Sequence, residues 1–478
     1  MTDLDTPLPN VRLLIDGKWT DGATHMPVLD KYRLVPSSTL HIPSREQVHE
    51  AVTAAHRAYA NATLTPYDRG AILERVAALF ERDMALLTVT LQTEGGFTQT
   101  DAQGEIKRCV QTFKLSAEEA RRLTGEMVAL AGAPQQAGRL GFTLRVPLGV
   151  ICAITPFNAP LNTVAHKVGP ALAAGNAVVL KPSTHTPTLG NLMAERLLEA
   201  GLPAGLMTVV HGGAEVANWL IDEPLVRFFA FTGSTEVGRS IQQRAGLRRT
   251  QMELGSIAFT IVDSDANLDQ ALPKIVGAAY RKAGQVCTSI QTLLVHRDRI
   301  AEVEARLTPM VRALRYGDPH DPATQVGPVI TVASAERIAQ WIDMAVSGGA
   351  RRLTGGAREG AVIPPTLLID VDPAAQVSCQ EVFGPVMSLV AFDTWEEAID
   401  RVNATPYGLA TGIFTNRLDS AFRAARQLHV GGVHINETSS SRVDLMPYGG
   451  SKDSGFGREG PHYAVREMSE ERLITLTT

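Results

Sequence analysis

The sequence predicts an α/β protein made of two parallel-sheet α/β domains plus a small β arm. Three observations carry this. From Pro147 onward, apolar strands and amphipathic helices alternate strictly. A second alternating series runs from about Phe259 to Asn436. The Gly-containing stretch 125–146 and the tail 473–478 have β-rich ends and fit neither series.

Taken in order, residues 45–123 read as a helical layer: a helix over 46–59, one over 68–90, and a third with Ile106, Cys109, Val110 and Phe113 on one face. Stretch 125–146 reads as an arm leaving the body. The first series places strands at Val150–Ile154, Ala177–Lys181, 206–210 and 226–231, with helices over 161–173, 187–200 and near Val216. Strands that are apolar throughout and separated by helices belong in a parallel sheet covered on both faces. The second series has strands at 291–296, Val386–Phe392, 409–414 and 432–436, with helices such as 301–314 and 419–428 between them. The tail adds one more strand, expected to pair with the arm.

Composition narrows the function. The 478 residues suffice for two to four domains at ~150 residues each. With 45 basic and 50 acidic side chains the net charge is −5, and no long run of one sign occurs. A nucleic-acid partner and a membrane surface are therefore not expected. No apolar stretch approaches the ~20 residues that span a bilayer. The first ten residues carry two acids and no basic or apolar leader pattern, so a cytoplasmic location is expected. Cys109, Cys152, Cys287 and Cys379 form no CxxC pair, and the 12 histidines show no HExxH spacing, so neither a disulfide framework nor a metal is assigned.

One GxGxxG match, Gly455-Phe-Gly457-Arg-Glu-Gly460, follows a turn-rich segment near the C-terminus and lacks the preceding strand that a dinucleotide fingerprint needs. It is rejected. Phe231-Thr-Gly-Ser-Thr-Glu-Val-Gly238 does follow a strand and open a helix, an arrangement that presents free N–H groups to a phosphate. Cys152 sits in an apolar strand and Cys109 on the apolar face of a helix, and both read as packing thiols. Cys287 lies in the polar, Gly-containing junction Gly284-Gln-Val-Cys-Thr-Ser289, where partners would make it a nucleophile.

Those partners emerge when the motifs are taken together. Pro156-Phe-Asn158, Lys181-Pro-Ser183, Phe231-Thr-Gly-Ser-Thr, Glu253-Leu-Gly255, Gly284-Gln-Val-Cys287, Glu381-Val-Phe-Gly-Pro and Pro447-Tyr-Gly-Gly-Ser-Lys-Asp-Ser-Gly455 resemble, in order and spacing, the aldehyde dehydrogenase superfamily. The motifs are closest to the lactaldehyde, sulfolactaldehyde and phosphonoacetaldehyde dehydrogenase-like group. The resemblance covers nearly the whole chain. It implies a Rossmann-like cofactor domain from 1–124 and 147–254, a catalytic domain from 255–440, a return segment 441–460, and an oligomerisation arm from 125–146 and 461–478. A homodimer or homotetramer follows, because exposed strand edges look for partners.

The implied chemistry suits these residue types. A Cys287 thiolate adds to an aldehyde carbon, Asn158 and the Cys287 N–H donate to the oxyanion, and Glu253 activates the water that hydrolyses the thioester. Lys167 matches a family lysine linked to proton relay. NAD or NADP is the implied cofactor, held by Thr155, Pro156, Lys181, Ser183, Thr184, Phe231, Thr232, Gly233, Ser234, Val237, Glu253, Leu254, Gly255, Glu381 and Phe383. Strictly NAD-dependent relatives usually carry a glutamate where this chain has Thr184. A hydroxyl there tolerates a 2′-phosphate that a carboxylate would repel.

Around the nucleophile the resemblance places Ala159, His166, Val286, Thr288 and Ser439, with Arg108 and Arg442 as anion holders, so a small polar or anionic aldehyde is expected. Arg108 has a competing reading as a surface ion pair with Glu105 at i, i+3. On the residues alone, a cofactor-independent thiol esterase or hydrolase and a catalytically retired structural homologue stay open as alternatives.

Overall fold

The computed structural model describes residues 8–477, so the first seven of the ten opening residues and the last residue of the tail lie outside it. Its centre is an eight-stranded sheet. Five parallel strands run in the spatial order Arg249–Glu253, Val226–Thr232, Val150–Ile154, Ala177–Lys181, Met207–Val209. Leu13–Ile15 and Lys18–Thr20 extend one edge antiparallel, and Gly455–Phe456 closes the other. The chain starts in the middle at Val150–Ile154, builds outward on one side, then returns to lay Val226–Thr232 on the other. That reversal of strand order leaves a crevice at the carboxyl ends of Val150–Ile154 and Val226–Thr232, where open α/β sheets bind ligands.

The helical layer covers one face. Pro66–Arg82 packs on Gln99–Arg122, with Phe80 and Phe113 stacked at 5.8 Å, and Gln99–Arg122 packs on Asn162–Ala173. Asn162–Ala173 is buried along its whole length between that layer and the sheet. The stretch read as one helix over 68–90 is two, Pro66–Arg82 and Met84–Gly95. Asp83 interrupts it: its φ/ψ of −94°/17° is not helical, and its carboxylate is held by Arg82 and Arg196. An ion pair to another helix thus overrides a continuous apolar pattern.

A second, seven-stranded sheet has six parallel strands in the order Thr366–Ile369, Val386–Phe392, Ile290–His296, Ala258–Val262, Ala410–Phe414, Gly432–Ile435, with Arg351–Thr354 antiparallel at one edge. Ser469–Thr477 pairs antiparallel with Arg139–Pro147 over their whole lengths, and Met127–Val128 adds a third strand. The tail and the arm therefore meet as expected. Asn10–Val11, Thr24–Leu29 and Pro36–Ile42 make a further small sheet that the sequence reading left unassigned.

Gly455, Gly457 and Gly460 all have positive φ. A Cβ at Gly455 would stand 2.0 Å from the Met252 carbonyl oxygen. The GxGxxG match is thus a close-approach segment laid along the edge strand Arg249–Glu253.

Candidate active site

A cavity of about 300 Å³ opens at the sheet crevice and reaches the second domain. Cys287, Asn158, Glu253 and Glu381 all line it. The segment that presents Cys287 is bent hard. Lys282, Ala283 and Gly284 take φ of 52°, 53° and 70°, and a Cβ at Gly284 would lie 2.0 Å from the Gly384 carbonyl oxygen. Two consecutive non-glycine residues in the left-handed region persist only where contacts over-determine them. Here the Lys282 N–H donates to Asp101 (3.0 Å) and its Nζ donates to Glu105 (2.7 Å) and to the Asn158 carbonyl (3.0 Å), while resting 4.5 Å from the Phe97 ring centre. Glu105 in turn accepts the N–H groups of Leu161 and Asn162 at the start of a helix. One buried ion pair thus ties the Cys287 loop to the Asn158 loop. The Asn158 side-chain amide makes no protein hydrogen bond among the described residues and stays free for an oxygen of a ligand.

The Cys287 sulfur lies 2.9 Å from the Tyr448 hydroxyl. Burial pushes its pKa up to about 11, against the hydrogen bond from Tyr448, which lowers it. Glu253 is buried and neither carboxylate oxygen has a hydrogen-bond partner. Burial, and then the charge of Glu459, raise its pKa well above the carboxylate range. Glu459 has the opposite fate. Burial works to raise it, but Lys167 (3.0 Å) and Arg442 (2.8 Å) outweigh that and hold it far below the usual range. Two neighbouring carboxyls driven apart in this way are suited to different tasks, one fixed as an anion and one able to take a proton.

Lys167 is therefore bound to Glu459, fully buried, and does not line the cavity. Arg108 does form an ion pair, but with Asp444 and not with Glu105, whose carboxylate is taken by Lys282. Asp444 also accepts from Asn162 and lies 2.9 Å from His166 Nε2. His166, expected against the substrate, is completely buried and lines no part of the cavity; it orients Asp444. Ser439 is corrected likewise: it is buried and its hydroxyl donates to the Thr288 carbonyl. Ala159, Val286, Thr288, Arg108 and Arg442 do line the cavity.

Arg281, Tyr448, Glu459 and Asp444 were missed from the sequence. All four lie in or beside quoted motifs, yet nothing local to an arginine or tyrosine says that it turns toward a sulfur. Arg281 is the most telling. Among the described residues its side chain hydrogen-bonds only to the Ser440 hydroxyl (2.6 Å), and no carboxylate lies within 4 Å of its guanidinium. Burial, and then the neighbouring Arg108 charge, push its pKa down.

On the sheet side, Pro156, Thr232, Gly233, Ser234, Leu254, Gly255, Glu381 and Phe383 line the cavity. The residues present fit a dinucleotide. The Thr155 and Thr232 hydroxyls are buried without partners. Ser234 caps the helix Thr235–Ala245 through the Val237 N–H, leaving that helix N-terminus turned to the crevice. Glu381 uses one oxygen on the Ser256 N–H and keeps the other free, with burial raising its pKa to about 7. A Cβ on Gly255 would come within 3.0 Å of that free oxygen. Lys181 donates to the Gly212 carbonyl at 2.8 Å, and burial lowers its pKa to about 8. Ser183 accepts the His185 N–H, while Thr184 makes no side-chain hydrogen bond and caps no helix. Phe231 is buried beneath Gly233, where a Cβ would meet its ring at 2.5 Å, so it shapes the turn rather than facing a ligand. Val237 is exposed just beyond it.

The aldehyde dehydrogenase family model matches residues 19–474. The chain belongs to the aldehyde dehydrogenase family. It is 43% identical to 3-sulfolactaldehyde dehydrogenase of Priestia aryabhattai over 477 residues, covering 100% of both chains. Among solved structures it is similar to aldehyde dehydrogenase 21 of Physcomitrella patens in complex with the reaction product succinate, with a TM-score of 0.95, 35% identity and 99% of each chain covered. It is also similar to an NADP-dependent glyceraldehyde-3-phosphate dehydrogenase of Bacillus halodurans complexed with NADP, at a TM-score of 0.95 and 32% identity, with 98% of this chain and 99% of that chain covered. Membership in this family makes the chain an NAD(P)-dependent aldehyde dehydrogenase.

Proposed function

We propose that this dehydrogenase oxidises a small anionic aldehyde to its acid. The observation that carries the reading is Arg281, a half-buried guanidinium on the wall of the cavity that holds Cys287, with no carboxylate within 4 Å among the described residues. A cation held partly out of water without an ion-pair partner is costly, and a substrate anion relieves it. Arg108 and Arg442 flank the same cavity but are each ion-paired, Arg108 with Asp444 and Arg442 with Glu459, which it shares with Lys167. They add hydrogen-bond donors whose charge is already engaged. The chemistry of two relatives, a sulfonate-bearing aldehyde as substrate and the dicarboxylate succinate as product, agrees with an anion at this place.

In the proposed mechanism the Cys287 thiol first loses its proton to solvent, the thiolate sulfur then bonds to the aldehyde carbon, and the carbonyl electron pair moves to oxygen. The free Asn158 amide and the Cys287 N–H donate to that oxygen. Thr232, Gly233, Ser234, Glu381 and Phe383 would hold a dinucleotide, with Lys181 and Thr184 on the side of its adenosine ribose. When bound, NAD(P) supplies the hydride acceptor that turns the adduct into a thioester on Cys287. Glu253, once deprotonated, takes a proton from the water that attacks the thioester, and the acid leaves as the sulfur is released. Lys167 holds Glu459 as an anion and by its own charge opposes the rise of the Glu253 pKa, which burial and then Glu459 sustain.

The test is kcat/KM for propanal, lactaldehyde, succinate semialdehyde, phosphonoacetaldehyde and 3-sulfolactaldehyde. The anions are expected to lead. Arg281→Met should cost them roughly 100-fold, the scale of losing one partner of a buried charge pair, while propanal changes little. A preference for propanal overturns the reading.

The same reading includes a homodimer or homotetramer built through the sheet of Arg139–Pro147 and Ser469–Thr477. Met127, Leu140, Leu144, Leu473 and Leu476 stand exposed on it, and its outer strands offer unpaired backbone groups. A cytoplasmic location is supported by an exposed free thiol at Cys379, which suits a reducing compartment.

A further inference from the structure

We infer that the Tyr448 hydroxyl is a catalytic hydrogen-bond donor to the Cys287 thiolate, strengthened by the Arg442 guanidinium stacked on its ring. This rests on Cys287 being the nucleophile of the reading above.

Three pieces of geometry converge on it. The Tyr448 oxygen lies 2.9 Å from the Cys287 sulfur, and the sulfur is its sole hydrogen-bond partner among the described residues. The Arg442 guanidinium carbon sits 3.7 Å from the centre of the Tyr448 ring, a close cation–π contact. Arg442 is itself pinned, since it donates to Glu459 at 2.8 Å and Glu459 accepts from Lys167 at 3.0 Å, both ends of that pair being fully buried. The order is Lys167, Glu459, Arg442, Tyr448, Cys287, each member fixed by the one before.

The physical consequence is directional. A cation over an aromatic face draws electron density from the ring and makes the phenol a better donor. A thiolate accepts that bond more strongly than a thiol does, because charge-assisted hydrogen bonds are about twice as strong as neutral ones. The bond is therefore strongest in the ionised form of Cys287 and is lost when the sulfur bonds to carbon. Tyr448 keeps its own proton, since burial pushes the phenol well above its ordinary value. Without such a donor, burial alone would leave the thiol still harder to ionise than it is.

The experiment measures iodoacetamide alkylation of the enzyme, without aldehyde or dinucleotide, as a function of pH, read by mass on the Cys287 peptide. Neither hydride transfer nor substrate choice enters, so failure of the anionic-aldehyde reading and failure of this inference are distinguishable. Tyr448→Phe is expected to move the midpoint upward by about one to two pH units, the scale of one hydrogen bond to a charged group. The limiting rate at high pH should stay unchanged. Replacing Tyr448 with 3-fluorotyrosine keeps the shape, sharpens the donor and should move the midpoint down, which decides the matter even where the phenylalanine variant folds poorly. Unchanged midpoints in both variants overturn the inference. So does a Tyr448→Phe enzyme that keeps its midpoint and loses kcat/KM only for 2-hydroxyaldehydes, for then the hydroxyl serves the substrate and not the sulfur.

Discussion

Glu253 must lose a proton before it can take one from water, and both burial and Glu459 oppose that loss. Its protonated form is therefore the one favoured in the folded enzyme at low pH, and thioester hydrolysis should rise with pH along a limb lying well above the ordinary carboxylate range. Glu253→Gln should abolish that limb in the pH profile of steady-state turnover and let the acyl-enzyme accumulate. Asn158→Ala removes one oxyanion donor and should lower kcat by roughly 10²–10³-fold. At the ribose, Thr184→Glu places a carboxylate beside a 2′-phosphate. The ratio of kcat/KM for NADP over NAD should fall by about tenfold or more, and equal losses with both cofactors would deny Thr184 this part. Cys287, Asn158 and Glu253 were legible in the sequence because each sits in a short motif whose neighbours agree. Tyr448 and Arg281 were not, because their meaning lies in a sulfur and a missing carboxylate brought close by distant parts of the chain.

The decisive element is the bent segment of residues 281–287. Its left-handed residues are held by the Lys282–Glu105 pair, which also closes the start of the helix Asn162–Ala173. Burial raises the Glu105 pKa, but the Lys282 charge and hydrogen bond outweigh it and hold the carboxyl below its usual range. A carboxyl held low in the folded state stabilises the fold above its unfolded pKa, and that contribution disappears as the pH falls through the folded value. Glu105→Gln leaves Lys282 buried and uncompensated. It should cost roughly 3–5 kcal/mol in urea unfolding at neutral pH, and the penalty should shrink on acidification. Apolar periodicity showed the helix that carries Glu105, but not which cation would face it: the i, i+3 spacing offered Arg108 as one reading, whereas the fold gives Arg108 to Asp444. The helix expected over 68–90 misled for a similar reason, since its break at Asp83 is set by Arg196 on another helix.

At the scale of the whole molecule, the parallel sheets were readable because strands buried on both faces are apolar throughout, and the antiparallel start of the chain was not, because its short strands carry no such pattern. The pairing of Arg139–Pro147 with Ser469–Thr477 joins residues more than 300 positions apart and puts exposed leucines on one small sheet. Sedimentation at micromolar concentration should show a dimer or tetramer, and a Leu144→Glu, Leu473→Glu double variant should shift it toward monomer. A stable wild-type monomer would count against an oligomerisation role for this sheet. All these parts serve one claim, that the two domains meet so that Cys287 captures an anionic aldehyde and carries its carbon through oxidation. Mass spectrometry of Glu253→Gln after a single turnover with NAD(P) and an anionic aldehyde tests it most directly. An acyl group is expected on the Cys287 peptide and none in the Glu253→Gln, Cys287→Ser enzyme; an unmodified Cys287, or an acyl group on another residue, would mean that this sulfur does not carry the carbon.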